Sequence, residues 1–352
     1  MRYRFLLPSL LTLGAFGLAA CGEETTQPNT AVDQPTAPQP AVTSNTWLTR
    51  RDMPLELYEQ ATAVVPNAAG QSILYAIGGG KANSRLNGAP VPMAEVRQYN
   101  VATNIWAPKS DMPVARWGMN GAGVIGGKIY VTGGYTIEGW SRGATASLFV
   151  YNTASNTWTR KRDMPAAGGG GVTGVIRGQL YVVTFNYSSL DPAKWFMNFF
   201  RYNPTRDSWI KLPNPTDYPT TNVGGGVINN KLYLTGGGRV LEYDPITSQW
   251  TQKRPWTNQS CLPGFECTVS GPTVVMLAHL YVFGYASGYR SSEAGVFIYD
   301  PISDTWESKP LLTTFSYWDV NRLRAARVFL NGQPRVEVIG GFRPGNNQQY
   351  IP

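Results

Sequence analysis

The chain has 352 residues, a formal net charge of +8, one histidine and three cysteines. Its length admits two ordinary domains or one large all-β domain, and 12% aromatic with only 15% charged residues excludes a largely disordered chain or long charged coiled coils. So few histidines and cysteines leave little scope for metal centres or catalytic triads, while 38 glycines, 26 prolines and 11 tryptophans point to many short strands joined by tight turns.

In chain order, the first segment reads as a signal peptide over residues 1–20. Arg2 and Arg4 precede an apolar run at 5–18, shorter than the roughly 20 residues that a bilayer span needs. Leu18-Ala19-Ala20-Cys21 resembles a bacterial lipobox. That resemblance implies acylation of Cys21 and a lipid-anchored place in the cell envelope, on the outer membrane or the outer face of the cytoplasmic membrane. Residues 21–44 contain four prolines and no aromatic residue, too little apolar surface to fold, and read as a lipid-anchored disordered linker. The membrane is thus an expected partner through Cys21. With no Lys/Arg run, nucleic acid is not.

From residue 45 onward a repeat dominates. Tyrosine precedes tryptophan by seven residues in YNVATNIW (Tyr99, Trp106), YNTASNTW (Tyr151, Trp158), YNPTRDSW (Tyr202, Trp209), YDPITSQW (Tyr243, Trp250) and YDPISDTW (Tyr299, Trp306). Asn or Asp after each tyrosine marks a tight turn between two strands. Upstream lie β-branched strands, several ending in paired glycines: YAIGG at 75–79, YVTGG at 130–134, YLTGG at 233–237 and VIGG at 338–341, with YVVTF at 181–185 and YVFGY at 281–285 departing. Met-Pro follows the tryptophan at Met53, Met112 and Met164.

These features resemble the Kelch repeat. The resemblance implies an all-β, six-bladed Kelch-type β-propeller over 45–352, one four-stranded blade per repeat. SNTWLTRRDMP at 44–54 nearly duplicates SNTWTRKRDMP at 155–165 but lacks a preceding repeat. The Trp47 strand is therefore predicted to close the ring as the outer strand of the C-terminal blade.

The Tyr-to-Trp turns and the inner hairpins are short, so the long connections gather at the opposite face, where binding usually sits. Candidate ligand residues there are Arg85, Arg116, Trp117, Trp140, Arg142, Trp195, Tyr289, Arg290, Trp318, Asp319 and Arg343. Trp256 belongs to the same group of loop tryptophans. Aromatic faces with planar guanidinium donors suit a glycan or a protein partner. The place of Arg116 in MPVAR also matches a common Kelch arginine near the channel mouth, which leaves a structural role open. The leading expectation is a non-catalytic binding module for a glycan, cell-envelope polymer or protein. The alternatives are an epimerase- or lyase-like carbohydrate enzyme using Glu95, Glu138, Asp191, Glu293 or Asp319, or a passive envelope scaffold.

Other chemistries find no residues. Copper oxidases built on Kelch blades need paired histidine ligands, whereas His279 stands alone in an inner hairpin on the short-turn face. No metal and no cofactor are expected. Cys261 and Cys267, in SCLPGFEC, are expected to pair as a disulfide in an oxidising compartment.

Overall fold

Each Tyr-to-Trp segment folds as a hairpin between the two outer strands of an antiparallel sheet. The computed structural model describes residues 45–83, 89–137, 143–187, 195–219, 223–237, 239–257, 268–287, 292–311, 322–341 and 347–352. Blade I holds β2 (Ala61–Pro66), β3 (Ser72–Asn83), β4 (Ala89–Asn100) and β5 (Ile105–Lys109). Blade II holds β6 (Ala122–Ile125), β7 (Lys128–Thr132), β8 (Leu148–Asn152) and β9 (Thr157–Lys161). Blade III holds β10 (Gly169–Ile176), β11 (Gln179–Tyr187), β12 (Trp195–Asn203) and β13 (Ser208–Lys211). Blade IV holds β14 (Gly224–Ile228), β15 (Lys231–Gly236), β16 (Arg239–Asp244) and β17 (Gln249–Lys253).

In blade V the inner strand is split at Gly271-Pro272. Both β18 (Thr268–Ser270) and β19 (Thr273–Met276) pair with β20 (His279–Ser287), followed by β21 (Ser292–Asp300) and β22 (Thr305–Pro310). Blade VI runs β23 (Leu323–Leu330), β24 (Gln333–Gly340), β25 (Asn347–Ile351) and, outermost, β1 (Thr46–Thr49). β1 lies antiparallel to β25 with Trp47 opposite Tyr350, the register that places Trp106 opposite Tyr99 and Trp158 opposite Tyr151. The inner strands meet in sequence from β2 through β6, β10, β14 and β19 to β23, and β23 meets β2 again. The result is a six-bladed β-propeller.

Local sequence explains the hairpins. Gly126-Gly127, Arg177-Gly178, Asn229-Asn230, Leu277-Ala278 and Asn331-Gly332 each take two consecutive positive φ values, the two-residue turn whose twist matches that of antiparallel strands. At the outer turns, the Asn or Asp after each tyrosine accepts a backbone N–H two residues on, as Asn100 does from Ala102 at 3.0 Å and Asp300 from Ile302 at 2.8 Å. Apolar clusters fill the spaces between sheets, with the repeat tyrosines fully buried in them.

The residue two before each tryptophan links the blades. Asn104, Asn156, Asp207 and Asp304 have positive φ, and each accepts the hydroxyl of its own blade's tyrosine at 2.5–2.7 Å. The same oxygen accepts the backbone N–H of Arg51, Ser110, Arg162 or Arg254, at 2.9–3.0 Å, in the connection leaving the preceding blade. The carbonyl of that very residue accepts the indole N–H of Trp106, Trp158, Trp209 or Trp306 at 2.7–2.9 Å. One residue of the connection is therefore gripped through both its backbone polar groups.

Two junctions differ, and the chemistry accounts for both. Trp250 donates to the carbonyl of Pro213, which has no N–H, and the turn position there is Ser248. At the last junction Asn45 turns its amide round and donates Nδ2 to the carbonyl of Pro310 at 2.9 Å.

Blade VI carries another departure. At the second-strand position where the other blades have Tyr75, Tyr130, Tyr181, Tyr233 and Tyr281, it has Glu337, fully buried, with Oε1 accepting from Gln349 Nε2 at 2.6 Å. Burial pushes its carboxyl up to about 7, against the pull of the Gln349 hydrogen bond and the Arg50 charge.

Two tests follow from these contacts. Removing one arm of a clamp, by Trp158→Phe or Asn156→Ala, leaves a backbone group of Ser110 unpaired and is expected to cost about 1–3 kcal/mol in urea unfolding. Glu337 holds its proton in the folded chain up to about pH 7, whereas unfolded it releases it near 4.3. Its contribution to stability therefore falls as pH rises through that window. Glu337→Gln should melt with the wild type at pH 4 and above it at pH 8, and a constant difference across that range would contradict the assignment.

Candidate functional site

Most of the loop residues named from sequence lie outside the described residues: Arg85, Trp140, Arg142, Tyr289, Arg290, Trp318, Asp319 and Arg343, together with Cys21, Cys261 and Cys267. Trp195 begins β12, but its side chain is likewise outside the description. The same holds for Glu138, Asp191 and the side chain of Glu293.

Arg116 and Trp117 are placed, and neither offers a ligand surface. Arg116 is fully buried. It donates to the carbonyls of Gly133 and Ser147 at 2.8 and 3.3 Å and to Ser147 Oγ at 3.1 Å, with its guanidinium 4.9 Å from the centroid of Phe149. Burial lowers its pKa to about 10, partly offset by Asp163. Trp117 is 2% exposed and packs on Tyr135 at 4.9 Å, with which it also exchanges two backbone hydrogen bonds. The segment that looked like a loop in sequence is thus covered by the start of the next long connection. Trp256 is buried too, against Phe297 and Trp306. His279 opens β20 beside the short Leu277-Ala278 turn, with Nδ1 against the carbonyl of Leu277. Glu95 is half-buried on β4, where its Oε2 accepts the N–H of Ala94.

What the long-loop end does offer is the mouth of the central channel. There the inner strands begin, around a cavity of about 360 Å³. The strand register assigns it one residue from each blade at the same level: Thr62, Ala122, Thr173, Gly225, Thr273 and Ala325. Two of the threonine hydroxyls are taken up by backbone, Thr173 donating to the carbonyl of Asn120 at 2.8 Å and Thr273 to that of Gly271 at 3.3 Å. Apart from two residues the described lining is neutral, mostly small and without aromatic rings.

Those two are Glu59 and Arg324. Glu59 follows Tyr58 in the connection into blade I and is half-buried. Its N–H donates to the carbonyl of Arg322, its carbonyl accepts from Gly118, and the carbonyl of Gly118 accepts from Gly170. This chain of backbone bonds runs round the mouth from blade VI to blade III. All three linking residues are left-handed, with φ of 54°, 56° and 66°. Blades II and III use glycine for that conformation, whereas blade I holds it with a glutamate, at a cost of about 1–2 kcal/mol. Arg324 stands on β23, at the position of Ala61, Gly121, Val172, Gly224 and Pro272 in the other blades. Among the described residues its one hydrogen bond goes to the carbonyl of Leu323.

Both groups line the cavity and are half-buried in packed protein. Burial raises the pKa of Glu59, opposed by the charges of Arg324 and Arg322, and lowers that of Arg324, opposed by Glu59. Arg322 is itself engaged with Tyr58, its guanidinium 5.0 Å from the ring centroid. Sequence reading passed over both residues. The available signal was the break in repeat pattern, YEQAT against WGMNGA at the mouth and RLRAARV against valine and glycine on the inner strands. Among the described residues no group of three His, Cys, Asp or Glu side chains could hold a metal.

Because Arg116 serves packing, Arg116→Met is expected to lower stability by about 1–3 kcal/mol by leaving two buried carbonyls short of a donor. Urea unfolding measures it. An unchanged midpoint would return Arg116 to the ligand-binding candidates.

A Kelch motif matches residues 116–165, the part of the chain that spans blade II and its entry. The chain is 28% identical over 242 residues to Kelch repeat and BTB domain-containing protein 8 of Danio rerio, covering 64% of this chain and 37% of that protein. It is 26% identical over 230 residues to Kelch-like protein terF of Aspergillus terreus, covering 60% and 48%. To a Kelch domain-containing protein of Sulfurisphaera tokodaii it is 31% identical over 147 residues, covering 42% and 20%. The chain thus spans between a fifth and about half of the length of these curated relatives. Repeat, fold and relatives together support a Kelch-repeat family for this chain.

Proposed function

We propose that the chain is an extracytoplasmic binding module, lipid-anchored through Cys21, that takes a glycan, a cell-envelope polymer or a protein at its long-loop face. A Kelch propeller is typically a protein-interaction scaffold, which favours binding over catalysis. The observation that carries the reading is the mouth itself: an open, polar cavity at the long-loop end, ringed by backbone hydrogen bonds and bearing two charges that the repeat does not require. A general acid and base need two facing groups of that kind, and within the described lining Glu59 is the one carboxylate.

The test is retention of the full chain on glycan arrays and on isolated cell-envelope polymer, with a protein pull-down alongside. Trp140→Ala and Trp318→Ala are expected to weaken retention roughly tenfold or more without moving the melting temperature. If the wild type captures neither glycan, polymer nor protein, the reading is lost.

A further inference from the structure

Within the proposed binding reading, on which this inference rests, the mouth has a definite chemical preference. Glu59 and Arg324 are both departures from the repeat, at neighbouring places on the seam between blades I and VI. Each is surrounded by protein and each feels the other's charge. Yet they form no ion pair, and among the described residues Glu59 receives no hydrogen bond on its carboxylate. A partly desolvated charge left without a partner is costly. Glu59 adds to that cost a left-handed backbone at a position where two other blades use glycine. Burdens of this kind are concentrated at ligand sites.

The rest of the lining limits what could complete the pair. Among the described residues it has no aromatic ring on which the apolar face of a neutral sugar could stack. A simple carboxylate would satisfy Arg324 but bring like charge to Glu59, and a simple amine would do the reverse. A molecule carrying both charges on one carbon satisfies both at once, and a cavity of about 360 Å³ is of a size for a small one.

We infer that the channel mouth is a binding site for a small zwitterion of the α-amino acid class, its carboxylate held by Arg324 and its ammonium by Glu59. The threonine ring and the glycine backbone leave room for a short side chain, so small amino acids are preferred over aromatic ones.

Calorimetric titration of the full chain with free glycine, alanine and serine tests this, with acetate, propionate and methylamine as single-charge controls. The amino acids are expected to bind and the controls to bind at least roughly tenfold more weakly. Arg324→Gln and Glu59→Gln should each weaken amino-acid binding by a similar factor. Glu59→Gly provides the decisive comparison. It removes strain and a desolvated charge together, so it should raise the melting temperature while abolishing binding. A structural role for Glu59 predicts a lower melting temperature instead. The inference is overturned if no amino acid binds, if propionate binds as well as alanine, or if Glu59→Gln binds alanine like the wild type. A chain that is retained on envelope polymer yet fails these titrations loses this inference alone and keeps the broader reading.

Discussion

The grip of each blade on the connection leaving its predecessor is the contact on which the ring depends. A four-stranded sheet buries only its two faces, and nothing within it fixes the angle to the next sheet. Here that angle is set by an indole and an Asn or Asp side chain that seize the N–H and the C=O of a single residue. The geometry explains the repeat. Tyrosine must lie opposite tryptophan across the turn, the Asn or Asp must sit two residues before the tryptophan in a left-handed conformation, and its oxygen must serve the tyrosine hydroxyl and the neighbouring amide together. Hydrophobic burial supplies most of the free energy, but it is non-directional. The clamp supplies direction.

Much of this could be read from sequence, because the clamp requires particular residue types at fixed spacing. The pairing of Tyr99 with Trp106, the turn-capping Asn100 and Asp300, and the two-residue inner hairpins all follow from local chemistry. What was not legible depended on contacts between distant segments. Arg116 and Trp117 sit in a polar, proline-flanked stretch that resembles an exposed loop, and only the packing of Gly133, Ser147 and Tyr135 over them reveals their burial. Glu59 and Arg324 are separated by most of the chain. They become neighbours because the ring brings the first blade back to the last, and no periodicity announces that.

The mouth and the seam are therefore one place. Blades I and VI meet along β2 and β23, and at the mouth end of that contact the N–H of Glu59 donates to the carbonyl of Arg322, while β1 completes blade VI from outside by pairing with β25. A left-handed glutamate can persist there because its backbone is fixed on both sides by hydrogen bonds to neighbouring blades. Glu337, buried in the same closing blade where others place tyrosine, is a second titratable group at the seam. Glu59, Arg324 and Glu337, three ionisable departures from the repeat, thus lie where the ring is joined.

The two proline junctions carry a mechanical meaning. Pro213 and Pro310 offer a carbonyl but no N–H, so blade IV is held to blade III, and blade VI to blade V, by a one-sided grip. The four blades from VI through I and II to III keep both arms of every clamp between them, and their mouth segments are tied in series through Arg322, Glu59, Gly118 and Gly170. Blades IV and V also share a complete clamp with each other, at Arg254. By the clamps alone, the ring divides into an arc of four blades and an arc of two, joined where proline removes one of the two backbone groups to be held. The charged seam lies inside the four-blade arc.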